Sequence, residues 1–334
     1  FFIRGEKGMQ RIGIGGTGAQ IGIFGLGTMC FGTAVSEKEV FDQLDLFVER
    51  GGTLIDTADM YAYWLNRNPG EEGQGGASER VIGRWLRQRR RRSQVFIASK
   101  VGNPTSQAEE QAGGWGLSAE RIVEHCEQSL GRLGVETIDL YYAHCDDRRT
   151  PVEESLAAFD RLVRTGKVRF IGASNWMSWR MEEAYQICRR NGWATFSCLQ
   201  QKHSYLRPKP GQDLGGFQLV TEEVVDHCRQ REVTLLGHEP ILKATYLWPE
   251  QKLFDGRYDY ETADNRARLA ELYKVAGELG ATPIQIVLAW MVESDPPVVP
   301  LIAADTAGQL RENLQAAELR LEAELMRRLN AAGA

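Results

Sequence analysis

Eight short apolar runs, each followed by a helical pattern, dominate this chain. They occupy 21–26, 53–55, 95–99, 138–143, 168–173, 196–199, 233–237 and 298–302. Runs that are apolar on both faces belong in a parallel sheet covered by helices. Eight such units in 334 residues is the count of a (β/α)8 TIM barrel. The rival is an open doubly wound sheet, which wants a glycine-rich phosphate turn between its first strand and first helix. Gly13, Gly15 and Gly18 have the G-x-G-x-x-G spacing, but they precede the first run and no helix follows them. Residues 9–20 instead read as a short glycine-turned β-hairpin ahead of the barrel.

Several helix starts are legible. Ser36 with Glu39, and Thr150 with Glu153, have capping-box spacing, and Pro151 falls at the first helical position of the second. Further helices are expected from Ser78, over 118–133, 263–279 and 283–293, and from Thr306, with an extra C-terminal helix over 321–331. Arg89, Arg90, Arg91 and Arg92 lie at the C-terminal end of the helix begun at Ser78, where they complement its macrodipole.

The formal net charge of −5 makes no case for nucleic acid. No apolar run reaches the roughly 18 residues of a membrane span. The six cysteines include no C-x-x-C pair, so neither a disulfide framework nor a metal site is expected, and a reduced, cytoplasmic protein is. Residues 1–8 read as an extension or leader, and 9–334 as one barrel domain.

In such a barrel the C-terminal strand ends converge on one face, where chemistry sits. This chain sends there Asp56, Lys100, His144, Ser174, Asn175, Gln200 and His238. Each alone has a plain structural role open to it: Asn175 as a helix cap, Lys100 in solvent, His144 in the core. Polar residues at every strand end from the second to the seventh argue for a site instead. Tyr61 follows Asp56 by five residues. A buried Lys100 ammonium would lower the Tyr61 phenol from its ordinary pKa of about 10. Asp56 would keep Lys100 charged, and His144 would donate to a substrate oxygen. That set protonates a carbonyl oxygen. No side chain donates hydride, so a cofactor must, and Ser174, Asn175 and Gln200 suit a nicotinamide carboxamide.

Several stretches then resemble one family over about residues 10–320. They are GLGTMCFG (25–32), DTADMY (56–61), SERVIG (78–83), IASK (97–100), SLGRLGVETIDLYYAH (129–144), GKVRFIGASN (166–175), TPIQIVLAWM (282–291) and ENLQA (312–316). Together they resemble the aldo-keto reductases. The resemblance implies a (β/α)8 barrel that reduces carbonyls with an extended nicotinamide dinucleotide. It implies a catalytic tetrad of Asp56, Tyr61, Lys100 and His144, with Tyr61 as general acid. It implies that Gly27, Thr28, Met29, Ser174, Asn175 and Gln200 hold the nicotinamide half. His238, Pro240, Leu242 and Lys243 fall at the ring and pyrophosphate, and Ala303, Asp305, Gln309, Glu312 and Asn313 at the adenosine half.

The chain also departs from the family pattern. His238 stands for the usual stacking aromatic, Glu239 follows it, and Ala244 replaces a pyrophosphate-loop glycine. A carboxylate beside a pyrophosphate is unfavourable unless it points away. The cations that grip the 2′-phosphate of NADP are missing at 303–309, and Asp305 adds a negative charge. The expected cofactor is therefore NAD(P)H, with a narrow lean to NAD(H) over the family's NADP(H). The expected partner is a small carbonyl or alcohol. Long loops carrying Trp64, Trp115 and Trp176 point to a sugar-like one. Two other readings stay open: a cofactor-binding regulatory subunit with little turnover, favoured only by the altered 238–244 loop, and a proton relay without net redox.

Overall fold

The computed structural model describes residues 8–68 and 70–333. The proposed leader falls, over residues 1–7, outside the described residues. Strands β1 (Arg11–Gly13) and β2 (Gln20–Gly22) pair antiparallel as the expected hairpin. The barrel strands are β3 (Gly25–Gly27), β4 (Leu54–Asp56), β5 (Phe96–Val101), β6 (Ile138–Ala143), β7 (Val168–Ser174), β8 (Phe196–Lys202), β9 (Thr234–His238) and β10 (Val298–Ile302). They close in sequence order, β10 pairing with both β3 and β9, and every ladder is parallel.

Around them lie α1 (Glu37–Glu49), α2 (Ala77–Arg89), α3 (Gln107–Gln111), α4 (Ala119–Leu133), α5 (Val152–Arg164), α6 (Ser178–Asn191), α7 (Glu222–Gln230), α8 (Ala263–Leu279), α9 (Pro283–Val292), α10 (Ala307–Leu314) and α11 (Ala323–Ala331). The helix α4 shows why such segments stop where they do. Its Ser118 hydroxyl accepts from Arg121 N, and Gly134 at φ 66 closes it in the left-handed region.

Three local expectations change. The run 21–26 is not one strand: Ile21 and Gly22 belong to the hairpin, and only Gly25–Gly27 joins the barrel. Ser36 caps α1, but the Glu39 carboxylate does not return to it; it accepts from Ala307 N at the start of α10. Thr150 does not cap α5, because its hydroxyl donates to Asp147 at 2.6 Å and Pro151 takes the cap position. A complete capping box forms instead at Thr282 and Gln285.

Two apolar regions follow from strand parity. Outward strand side chains pack against the helices, which contribute Phe47, Trp85 and Phe159, and Trp176 just past β7 joins the same cluster. Inward ones fill the barrel: Leu54, Phe96, Ala98, Leu140, Tyr142, Cys198, Leu236, Val299 and Leu301, with Ile14 and Ile21 of the hairpin region joining the same cluster. Gly172 makes room here, since a Cβ would sit 2.7 Å from the Tyr142 ring. Residues two apart on a strand share a face. The inward file therefore runs from apolar to polar towards the C-terminal ends: Leu54 then Asp56, Ala98 then Lys100, Cys198 then Gln200.

Candidate active site

At the polar end of that file five side chains meet. Lys100 Nζ bonds the Asp56 carboxylate, lies 2.5 Å from the Tyr61 hydroxyl and donates to Thr57 O at 2.8 Å. Tyr61 OH reaches Asp56 Oδ1 at 3.4 Å. The Gln200 amide donates to the other Asp56 oxygen at 2.9 Å. The His144 ring stands edge-on to Tyr61, centroids 6.0 Å apart. Lys100 and Asp56 are 0% and 1% exposed, so each needs the other: an uncompensated buried charge is costly.

The turn that aims Tyr61 is held from several sides. Thr57 N donates to Ala98 O at 2.9 Å and Asp59 N to Lys100 O at 3.3 Å. The buried Asp59 carboxylate also bonds His125 Nδ1 of α4 at 2.7 Å. Thr28 donates to Asp56 O at 2.9 Å, which ties the end of β3 to β4.

Electrostatics correct one expectation. Burial, reinforced by the Asp56 charge, holds the Tyr61 phenol well above its ordinary value rather than below it. Burial also lowers Lys100, while Asp56 opposes that shift. Burial and the Lys100 charge push His144 well below the usual imidazole range, so it is neutral at pH 7. A neutral phenol is a proton donor in waiting, and it remains one until pH rises through its raised pKa. Carbonyl reduction should therefore show no inflection near 6.5 from His144 and keep its acid form past pH ~10. Alcohol oxidation, which needs the phenolate, should still be rising there. A pH–rate profile checks both; an alkaline loss of reduction centred near neutrality would contradict the assignment.

The expected cofactor residues ring this centre. Gly27 ends β3, and Thr28 and the exposed Met29 follow it. Ser174 ends β7, and Asn175 takes φ 60, a region Asn tolerates; its Nδ2 donates to Ser174 Oγ at 3.1 Å. His238 ends β9 with its pKa pushed down to about 3, mainly by burial. Beyond it Pro240 and Leu242 are buried and Lys243 is exposed. Ala303, Asp305, Gln309 and Glu312 are exposed around the start of α10, while Asn313 is buried. Gln309 accepts from Asp305 N at 2.9 Å. Two observations fit a nicotinamide dinucleotide here. His144 Nδ1 and His238 Nε2 are buried polar atoms without partners among the described residues. Ile241 at φ −97 and Leu242 at φ 46 also form a turn of the kind that can cradle an anion, although its Leu242 N–H is taken by Glu239 O at 3.3 Å.

The substrate expectations divide. Trp64 and Trp115 are 43% and 47% exposed, on loops joined where Tyr63 OH donates to Glu110 at 2.7 Å. Trp176 is not a substrate wall. It is 1% exposed, donates to Cys145 O at 2.8 Å and packs against Phe196 outside the barrel. Sequence reasoning missed the Asp59–His125 pair, the buried Lys202 at the end of β8 and Glu39 at α10. Only Lys202 left a signal, two residues after Gln200 and so on the same face.

Among the described residues no single helix is long and apolar enough to cross a membrane. The model of the aldo/keto reductase family matches residues 24–334. An oxidoreductase of Bacillus subtilis, YrpG, described as uncharacterised, is 30% identical over 96% of this chain and 95% of its own length. Norsolorinic acid reductase A of Aspergillus parasiticus is 26% identical over 97% of this chain and 80% of its own. An aryl-alcohol dehydrogenase of Pestalotiopsis microspora is 26% identical over 90% and 75%. A closed parallel barrel and a family match spanning nearly all of it agree: this chain belongs to the aldo/keto reductase family, whose members are carbonyl oxidoreductases.

Proposed function

We propose that the protein is a nicotinamide-dependent reductase of an aldehyde or ketone, or a dehydrogenase of the alcohol, with Tyr61 as the proton-transfer group. The carrying observation is the buried Lys100 ammonium 2.5 Å from the Tyr61 hydroxyl. The dinucleotide, when bound, supplies or accepts the hydride. His144 donates a hydrogen bond to the carbonyl oxygen. Tyr61 delivers the proton to that oxygen, and the phenolate left behind is stabilised against Lys100, which Asp56 keeps oriented. Ser174, Asn175 and His238 hold the nicotinamide half.

NAD(H) is the proposed dinucleotide. Asp305 and Glu39 place two carboxylates about the first turn of α10, where the family resemblance puts the adenosine end, and Glu39 takes the Ala307 N–H. A 2′-phosphate meets like charge there. Parallel fluorescence titrations should show NADH bound more tightly than NADPH. A tenfold preference for NADPH, about 1.4 kcal/mol, would reverse this reading.

The exposed indoles of Trp64 and Trp115 offer flat apolar faces, which suit an aryl ring as well as a sugar. The aryl-alcohol relative favours the aryl carbonyl over the sugar-like one. Cofactor oxidation with a panel of aryl, sugar and simple aliphatic aldehydes tests the activity and the class together. Fastest turnover of the short aliphatic compounds would remove both substrate ideas. No turnover of any member by a dinucleotide-bound protein would return the regulatory-subunit reading.

A further inference from the structure

Lys202 is a second lysine at the mouth of the barrel. It ends β8, faces inward one step above Gln200, and is paired in register with His238. Its side chain is fully buried. Nζ stands 4.8 Å from the Tyr258 ring centre and 6.0 Å from that of Tyr260, so aromatic walls keep water from it.

Two carboxylates neutralise it, and they differ. Asp255, at 3.8 Å, is 5% exposed and held firmly. It accepts from Arg257 N at 2.9 Å, Tyr258 N at 2.7 Å and the Tyr260 hydroxyl at 3.0 Å. Glu239 bonds Lys202 directly, yet its side chain is 38% exposed and makes no other hydrogen bond among the described residues. One cation faces two acids, so the cluster carries an excess negative charge that would vanish if Glu239 left. Asp255 would then remain beside Lys202 as its counter-charge.

The backbone around Glu239 is also unusual. Glu239 has φ 57, and Leu242, Lys243 and Ala244 follow at 46, 49 and 64. Side-chain-bearing residues rarely hold that region without cause. Within this run lies the Ile241–Leu242 turn already described, at the proposed pyrophosphate position. A free carboxylate three residues away would repel any anion arriving there.

We propose that Lys202 is a phosphate-binding cation of the dinucleotide site, and that Glu239 is an internal anion holding its place until a phosphate displaces it. The proposal rests on the nicotinamide reading above. It explains how a glutamate is tolerated in this loop: its charge is satisfied by Lys202 and it can swing to solvent. A permanent structural pair would instead have both carboxylates locked, as Asp255 is.

The sign of one substitution separates the two cases. Glu239→Gln keeps the shape but removes the competing charge. Tryptophan-quenching titrations with NADH and NADPH should show it binding the preferred dinucleotide at least about threefold more tightly than wild type. Lys202→Met should bind it at least about tenfold more weakly. Inorganic pyrophosphate should compete with dinucleotide on wild type and on Glu239→Gln, and lose that competition on Lys202→Met. Equal or weaker binding by Glu239→Gln overturns the proposal, as does undiminished binding by Lys202→Met. If Lys202→Met does not fold by circular dichroism, the Glu239→Gln result decides alone. Wild type that binds neither dinucleotide overturns the nicotinamide reading and this one with it. Wild type that binds one, with no gain in Glu239→Gln, overturns this one only.

Discussion

Replacing Tyr61 by Phe should lower kcat by roughly 10²–10⁴-fold, the range of a well-placed general acid. The change removes one hydroxyl and leaves the ring packed against His144. Dinucleotide affinity should move by less than about twofold, because the phenol acts on the substrate oxygen and not on the cofactor. The effect is large because nothing nearby can substitute. His144 is held neutral, and Lys100 is enclosed by Asp56, Thr57 O and the phenol itself. A single-turnover measurement isolates the chemical step. Near-full turnover by Tyr61→Phe, with chemistry shown to limit the rate, would end the assignment.

Lys100→Met should damage both rate and stability. The phenolate would form without its cation, so kcat should fall by about 10² or more. Asp56 would be left buried at 1% exposure, keeping, among the described residues, only Gln200 and Tyr61 as hydrogen-bond donors. Breaking a buried pair from one side costs about 3–5 kcal/mol. Removing both charges should cost less than the two single losses summed, since neither partner is then stranded. Urea unfolding of Lys100→Met, Asp56→Asn and the double variant measures this directly. Additive losses would show that the pair is not coupled. A Lys100→Met variant of wild-type stability and near-wild-type turnover would show that Lys100 is not the group supporting Tyr61.

Much of this centre was legible before any fold was known, because strand parity is written in the chain. Asp56, Lys100 and Gln200 each stand two residues beyond an inward apolar residue, so all three had to reach the mouth once the runs became strands. The eight runs also determined the barrel, since a strand apolar on both faces needs cover on both. Parity says nothing about turns. Tyr61 is aimed by Asp59 bonding His125, 66 residues away, and by Thr57 and Asp59 bonding β5. Trp176 follows Asn175 in sequence, but one step past the strand the chain turns back and buries it outside the barrel.

Charge pairing was the other hidden layer. Glu39 has the spacing of a capping residue for its own helix, yet its carboxylate serves α10, 268 positions on. Glu239 looked like an obstacle to an anion until the fold set Lys202 beneath it. Even the sign of the Tyr61 shift was misread from sequence. The nearby cation was visible there, but the depth of burial was not, and burial with the Asp56 charge raises the phenol. Sequence alone determined which residues reach the mouth of the barrel, because that depends on a local period of two. Their charge states and partners were decided only by the tertiary structure, because desolvation and ion pairing depend on what distant segments bring within a few ångströms.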